Sequence, residues 1–252
     1  MPRQARKRSK TGIYHIMLRG INRQTIFEDE QDYVKFIKIL RQCKEKSGFK
    51  LYGYCLMSNH VHLLLSEGEE SISLVMQRMC SSYVYWYNWK YDRFGHLFQE
   101  RYKSEAVENE AYLITVLRYI HQNPVKAGIT NSVVRYKWSS YHEYIRRQNM
   151  IDCEFILALF ATEKQTAKKE FEKYMNETNE DVCLDYQEKH RIADEEIVKL
   201  IEDTYGVKKG FFHLLGRKEK DLILKELKAI NGITIRQLVR VTGISKSMVE
   251  KA

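Results

Sequence analysis

Over the first half of the chain, short apolar and aromatic runs alternate with segments whose apolar residues recur every three to four positions. Ile13 to Leu18 is a short apolar and aromatic run closed by Arg19-Gly20, and it predicts a first strand. Glu28, Asp29, Glu30 and Asp32 then open a segment with apolar residues at Tyr33, Phe36, Ile37 and Leu40, closed by Ser47-Gly48. This predicts an amphipathic helix whose acidic start suits its dipole. Phe49 to Met57 and His60 to Leu65 read as two strands joined at Ser58-Asn59, which makes a hairpin. Ile72, Val75, Met76, Met79, Tyr83 and Trp86 recur at helical spacing and predict a second helix over 72–90. Arg101 to Val107 fits a fourth strand. Ala111 to His121 fits a third helix, expected to end at Asn123 because Pro124 disfavours helical geometry in the residue before it. The order β-α-β-β-α-β, then α, predicts an α+β, ferredoxin-like split βαβ fold, with a four-stranded antiparallel sheet and packed helices.

Beyond Tyr144 the texture changes to Lys- and Glu-rich, proline-free, helix-prone sequence. The last twenty or so residues read as a helix, a turn at Gly243 and a second helix opening at Ser245. That is helix-turn-helix spacing, in which the second helix enters a major groove, although a small helical bundle has the same pattern. The expected organisation is a basic arm over 1–11, a sheet domain over 12–145, a helical extension over 151–230 and a helix-turn-helix segment over 231–252.

Composition narrows the class. With 252 residues, 44% hydrophobic and 30% charged, the chain has room for two domains and has the make-up of an ordinary globular protein. Its longest apolar stretch, Phe155 to Ala161, is far short of the roughly 18 residues of a membrane span, and the basic start lacks the apolar segment of a secretory signal. A cytoplasmic protein is the expectation. Five widely spaced cysteines without a Cys-x-x-Cys pair argue against a disulfide framework and a structural zinc site. The net charge is +9, and residues 1–150 hold 24 Lys and Arg against 14 Asp and Glu, while 151–252 hold 18 against 19. A polyanion partner is therefore expected at the N-terminal part, with Arg6, Lys7 and Arg8 in an arm suited to displacing phosphate counterions.

Candidate chemistry centres on His60-Val61-His62. On a strand both rings project from one face, as a pair of metal ligands or as two hydrogen-bonded strand histidines. Tyr119 and Asn123, four apart, share one face of the predicted third helix. Taken alone, Tyr119 is one of 17 tyrosines and equally reads as a core-edge residue. Tyr83, Tyr85, Trp86, Tyr87 and Trp89 on the second helix suit either core packing or stacking on unpaired bases.

Taken together, Leu56-Met57-Ser58-Asn59-His60-Val61-His62 and Arg118-Tyr119-Ile120-His121-Gln122-Asn123-Pro124-Val125-Lys126-Ala127-Gly128 resemble the single-tyrosine HUH transposases, in particular the repeat-associated tyrosine transposases of bacteria. Tyr14-His15-Ile16-Met17-Leu18-Arg19-Gly20-Ile21-Asn22-Arg23, Gly95 to Lys103 and Trp138-Ser139-Ser140-Tyr141 extend the resemblance over residues 12–145. It implies the split βαβ sheet, His60 and His62 as ligands of Mg²⁺ or Mn²⁺, and Tyr119 as the nucleophile toward single-stranded DNA. It further implies Asn123 as the third ligand, where some relatives carry glutamine. Arg19, Arg23, Arg101 and Lys103 lie in the matching motifs as DNA contacts. The implied partner is DNA with hairpin-forming repeats. Relatives include monomers and dimers, so a homodimer stays open, as does a non-cleaving DNA-binding regulator with the same fold. A water-activating metallohydrolase ranks last, because residues 50–70 add only Glu67, Glu69 and Glu70 in a predicted loop.

Overall fold

The computed structural model describes residues 6–146, 150–185, 192–230 and 232–252. The chain forms two compact units, Met1–Asp185 and Tyr186–Ala252.

In the first unit, β1 (Ile13–Arg19), β2 (Lys50–Met57), β3 (His60–Ser66) and β4 (Lys103–Val107) build one antiparallel sheet in the order β2-β3-β1-β4. Both central strands are buried on both faces, as their place between two layers requires, and the histidines among them, His15, His60 and His62, share one face. Helices α1 (Glu30–Ser47) and α2 (Ile72–Lys90) pair with each other, and Phe36, Leu40, Val75, Met79 and Tyr83 enter the core they share with the sheet. The acidic start of α1 becomes a reciprocal cap: Asp29 accepts from the backbone of Gln31 and Asp32, and Asp32 accepts from that of Asp29. Lys90 binds both carboxylates and so ties the end of α2 to the start of α1.

Helix α3 (Glu110–Lys126) packs on β2 and β3 through Leu113, Val116, Leu117 and Ile120. Its helical path continues through Pro124, where the sequence predicted a stop at Asn123. Proline removes only the donor to the Ile120 carbonyl, and it does so in the last turn, where one missing bond costs least. The Asn123 carbonyl still accepts from Ala127 at 2.9 Å, and Gly128 ends the helix at φ 69°. β4 likewise begins at Lys103 and leaves Arg101 outside the strand. Ahead of it the edge of β1 is held by Gln99 N–H donating to the Arg19 carbonyl at 2.8 Å.

Residues 150–185 add α5 (Cys153–Ala158) and α6 (Lys164–Asn176), whose Ile156, Phe171 and Met175 join the same core, after the short α4 (Tyr141–Ile145). The second unit has its own core, with Ile197, Leu224, Leu227, Leu238 and Val249 contributed by α7 (Asp194–Tyr205), α8 (Arg217–Ala229), α9 (Ile235–Thr242) and α10 (Lys246–Lys251). The expected helical extension over 151–230 is thus divided between two cores. Between α9 and α10, Gly243 adopts φ 72°, a left-handed turn that glycine makes without strain. No helix among the described residues is long and apolar enough to cross a membrane.

Candidate active site

Strand register sets the site. His62 faces Met17 and His60 faces Arg19 across the β1–β3 ladder, and directly opposed residues point to the same side of the sheet. His15, two residues before Met17, shares that side, which is the one α3 covers. Asn123 reaches both histidines of β3: its Oδ1 lies 3.1 Å from His60 Nε2, and its Nδ2 lies 3.4 Å from His62 Nε2. The helix that Pro124 does not break delivers this contact.

The donor set fits a divalent cation. His60 Nδ1 lies 2.6 Å from the Asn59 carboxamide oxygen, and its Nε2 faces the Asn123 oxygen. A neutral imidazole has one N–H for those two acceptors, so one lone pair of the ring is left pointing at an oxygen. A cation bound by His60 Nε2, His62 Nε2 and Asn123 Oδ1 would relieve that mismatch. Burial lowers the pKa of His60, and it holds His62 well below the usual histidine range with help from the neighbouring His15 and His60 rings. Neutral rings with free lone pairs are what metal ligation needs. Among the described residues no three His, Cys, Asp or Glu side chains are grouped so as to hold a metal ion by themselves, and the Asn123 carboxamide oxygen is the further donor beside the two histidines.

Tyr119 stands one turn before Asn123. Its ring makes edge contacts with His62 and His15 at centroid distances of 5.7 and 6.1 Å, and the residue is buried. Its hydroxyl donates to Asp185 Oδ2 at 2.9 Å. Burial first, and then the Asp185 carboxylate, drive its pKa far above the ordinary phenol value. Asp185 belongs to a segment laced along α3. Arg118 pairs with Asp181 at 2.7 Å, Gln122 donates to the carbonyls of Met175 and Glu177, and Lys126 donates to Asn179 and to the Asp181 carbonyl.

The predicted basic contacts fall into two groups. Arg19 lies beside His60, and Arg23 follows in a left-handed turn whose carbonyl accepts from Asn59. Lys103 opposes Met17 on the edge strand, and Arg101 is exposed just before it. Arg6 lies over the Tyr102 ring at 3.8 Å and donates to its carbonyl, while Lys7 and Arg8 are exposed. The aromatic cluster of α2 divides: Tyr83 and Tyr87 are core, Trp86 is half-buried, and Tyr85 and Trp89 are exposed. Sequence reasoning left His15 and Asp185 out of the site. His15 had a signal, since it shares strand parity with Arg19; Asp185 had none, because its loop position follows no period.

The family model described as Transposase IS200 like matches residues 9–123, which span the whole sheet, the histidine pair and Tyr119 to Asn123. Residues 9–123 are thus similar to an IS200-like transposase domain. The chain is 23% identical over 129 residues to a Haemophilus influenzae protein whose name places it among the REP-associated tyrosine transposases. That match covers 46% of this chain and 73% of the other. A solved structure of a REP-associated tyrosine transposase, bound to a REP hairpin, superposes with a TM-score of 0.52 at 19% identity, covering 58% of this chain and 87% of that one. The IS200-like fold is therefore the four-stranded sheet and helices of the first unit. Asp185 and the second unit lie beyond the matched residues.

Proposed function

We propose that this IS200-like domain cleaves and rejoins single-stranded, hairpin-forming DNA through a covalent tyrosine intermediate. The observation that carries the reading is the meeting of His60, His62 and Asn123 beside the Tyr119 ring. Tyr119 Oη forms a bond to phosphorus and loses its proton to solvent. The bond from phosphorus to the 3′-oxygen breaks, and that oxygen leaves as a 3′-hydroxyl after taking a proton. The products are a 5′-phosphotyrosine and a free 3′-OH, with the phosphoester energy conserved. A 3′-OH from a second strand reverses the step, which completes strand transfer.

His60 Nε2, His62 Nε2 and Asn123 Oδ1 would hold Mg²⁺ or Mn²⁺, which supplies charge neutralisation at the non-bridging phosphate oxygens. Phenol at its ordinary pKa of about 10 is on the order of a thousandth ionised at neutral pH, so Tyr119 needs such help. Arg19, Arg23, Arg101 and Lys103, with Arg6, Lys7 and Arg8, hold the DNA backbone. Hairpin DNA as substrate takes its support from the REP hairpin in the similar solved structure. The helix pair around Gly243 in the second unit reads duplex DNA.

A labelled hairpin oligonucleotide with a single-stranded flank, incubated with Mn²⁺, is expected to give a protein–DNA adduct that survives denaturation. Tyr119→Phe is expected to abolish it, with hairpin binding retained. A second reading, a DNA-binding regulator that does not cleave, draws on the burial of Tyr119 and its bond to Asp185. Binding without any adduct in the wild-type protein would decide for that reading.

A further inference from the structure

His15 is a fully buried imidazole whose only hydrogen-bond contact among the described residues is with a second imidazole: its Nε2 lies 2.9 Å from His62 Nδ1. The two rings sit 5.1 Å apart between centroids and are tilted by 31°, so each presents an edge nitrogen to the other. His15 Nδ1 is buried without a partner. A neutral imidazole has one N–H and one lone pair to place.

We propose that His15 is a positioning residue that holds His62 in the Nδ1–H tautomer and so aims the His62 Nε2 lone pair at the cation site. The inference rests on reading His60, His62 and Asn123 as that site. Imidazole ligates through whichever nitrogen carries no proton, and the hydrogen bond made by the other nitrogen decides which one that is. His62 can offer Nε2 only if its proton sits on Nδ1, and the atom within reach of Nδ1 is His15 Nε2. His15 then accepts and carries its own proton on Nδ1. The opposite polarity, with His15 Nε2–H donating to His62 Nδ1, puts the His62 proton on Nε2 and makes it useless as a ligand. Each ring keeps one proton in both arrangements, so the choice is a tautomer exchange. Packing alone does not account for a polar ring at this position, because an apolar side chain would fill the same space without leaving a buried nitrogen unpartnered.

The test measures Mn²⁺ affinity by titration calorimetry without DNA for wild type, His15→Ala, His15→Gln and His60→Ala, with a thermal melt of each. His15→Ala is expected to bind about 10- to 100-fold more weakly, the range seen when a ligand's supporting hydrogen bond is lost. His15→Gln, whose carboxamide oxygen can accept from His62 Nδ1–H, is expected to recover most of that loss. Because His15→Ala removes a buried ring, the wild-type protein provides a second measurement. Imidazole ¹⁵N shifts with diamagnetic Mg²⁺ bound are expected to show His62 as the Nδ1–H tautomer. Equal affinity in His15→Ala and wild type overturns the role of His15 alone, whereas an Nε2–H tautomer in the Mg²⁺-loaded protein overturns it together with His62 Nε2 as a ligand. If His60→Ala binds as well as wild type, the cation site itself is wrong and the role of His15 falls with it.

Discussion

Tyr119 is subject to two opposing influences. Its ring lies beside the histidine pair, as the proposed attack needs, yet its hydroxyl is bonded to a carboxylate that opposes loss of its proton. The sign of the electrostatic part is unambiguous: a negative neighbour stabilises the neutral phenol and raises its pKa, so less phenolate exists at any given pH. Replacing Asp185 by Asn removes that charge and keeps the shape. Burial still acts, so the Tyr119 pKa is expected to fall only part of the way toward its ordinary value. If ionised Tyr119 is the attacking species, the rise of initial adduct-forming rate with pH moves to lower pH in Asp185→Asn. A slower rate at every pH would mean instead that the Asp185 carboxylate takes the phenol proton in the attack. Either outcome would make a residue beyond the matched residues 9–123 an influence on the proposed nucleophile.

At the level of elements, the site is a matter of spacing between a strand pair and a helix. Gly53 in β2 sits where α3 crosses, at an irregularity in the β2–β3 pairing; a Cβ there would come 2.5 Å from Leu117 Cδ1. Leu117 is fully buried in a close-packed core, so relief of the clash is expected to displace the helix that carries it. Gly53→Ala is expected to cost about 1–3 kcal/mol of stability in chemical denaturation, the usual penalty of overpacking a tight core. It should also weaken Mn²⁺ binding, because the lifted helix carries Asn123 away from His60 and His62. Unchanged metal affinity in a destabilised Gly53→Ala protein would sever Asn123 from the site. The strands and first two helices were legible because buried strands show as short continuous apolar runs and amphipathic helices write their period into the sequence, as in Ile13 to Leu18 and Ile72 to Trp86. The end of α3 was not, since a local rule about Pro124 yields to packing of the last turn. The histidine pair and Tyr119 became legible only jointly, as motifs. Asp185 stayed invisible because tertiary lacing by Arg118, Gln122 and Lys126, and no local pattern, brings it to the hydroxyl.

For the whole molecule, the division of charge looks different once the units are known. Split at residue 150, the basic excess seemed confined to the N-terminal part. The first unit, residues 1–185, holds 28 Lys and Arg against 23 Asp and Glu, and residues 186–252 hold 14 against 10. Both units are basic, and the apparent acidity of the C-terminal part came from residues 151–185, which include the carboxylates that bind α3 and Tyr119. A polyanion therefore meets a net positive charge on either unit, and electrostatics alone does not select the site. The arm is the separable part of that attraction, because Lys7 and Arg8 are exposed and Arg6 is held, among the described residues, at Tyr102. Hairpin affinity measured against salt should fall linearly on logarithmic axes, with a slope of roughly 0.7 to 0.9 per phosphate neutralised. Replacing Arg6, Lys7 and Arg8 together by Ala is expected to flatten that slope by about 2 if all three contact phosphates. Adduct formation at saturating DNA should be unchanged, since none of the three touches His60, His62, Asn123 or Tyr119. An unaltered slope would assign the arm no phosphate contacts and transfer the polyanion attraction to Arg19, Arg23, Arg101 and Lys103 around the site.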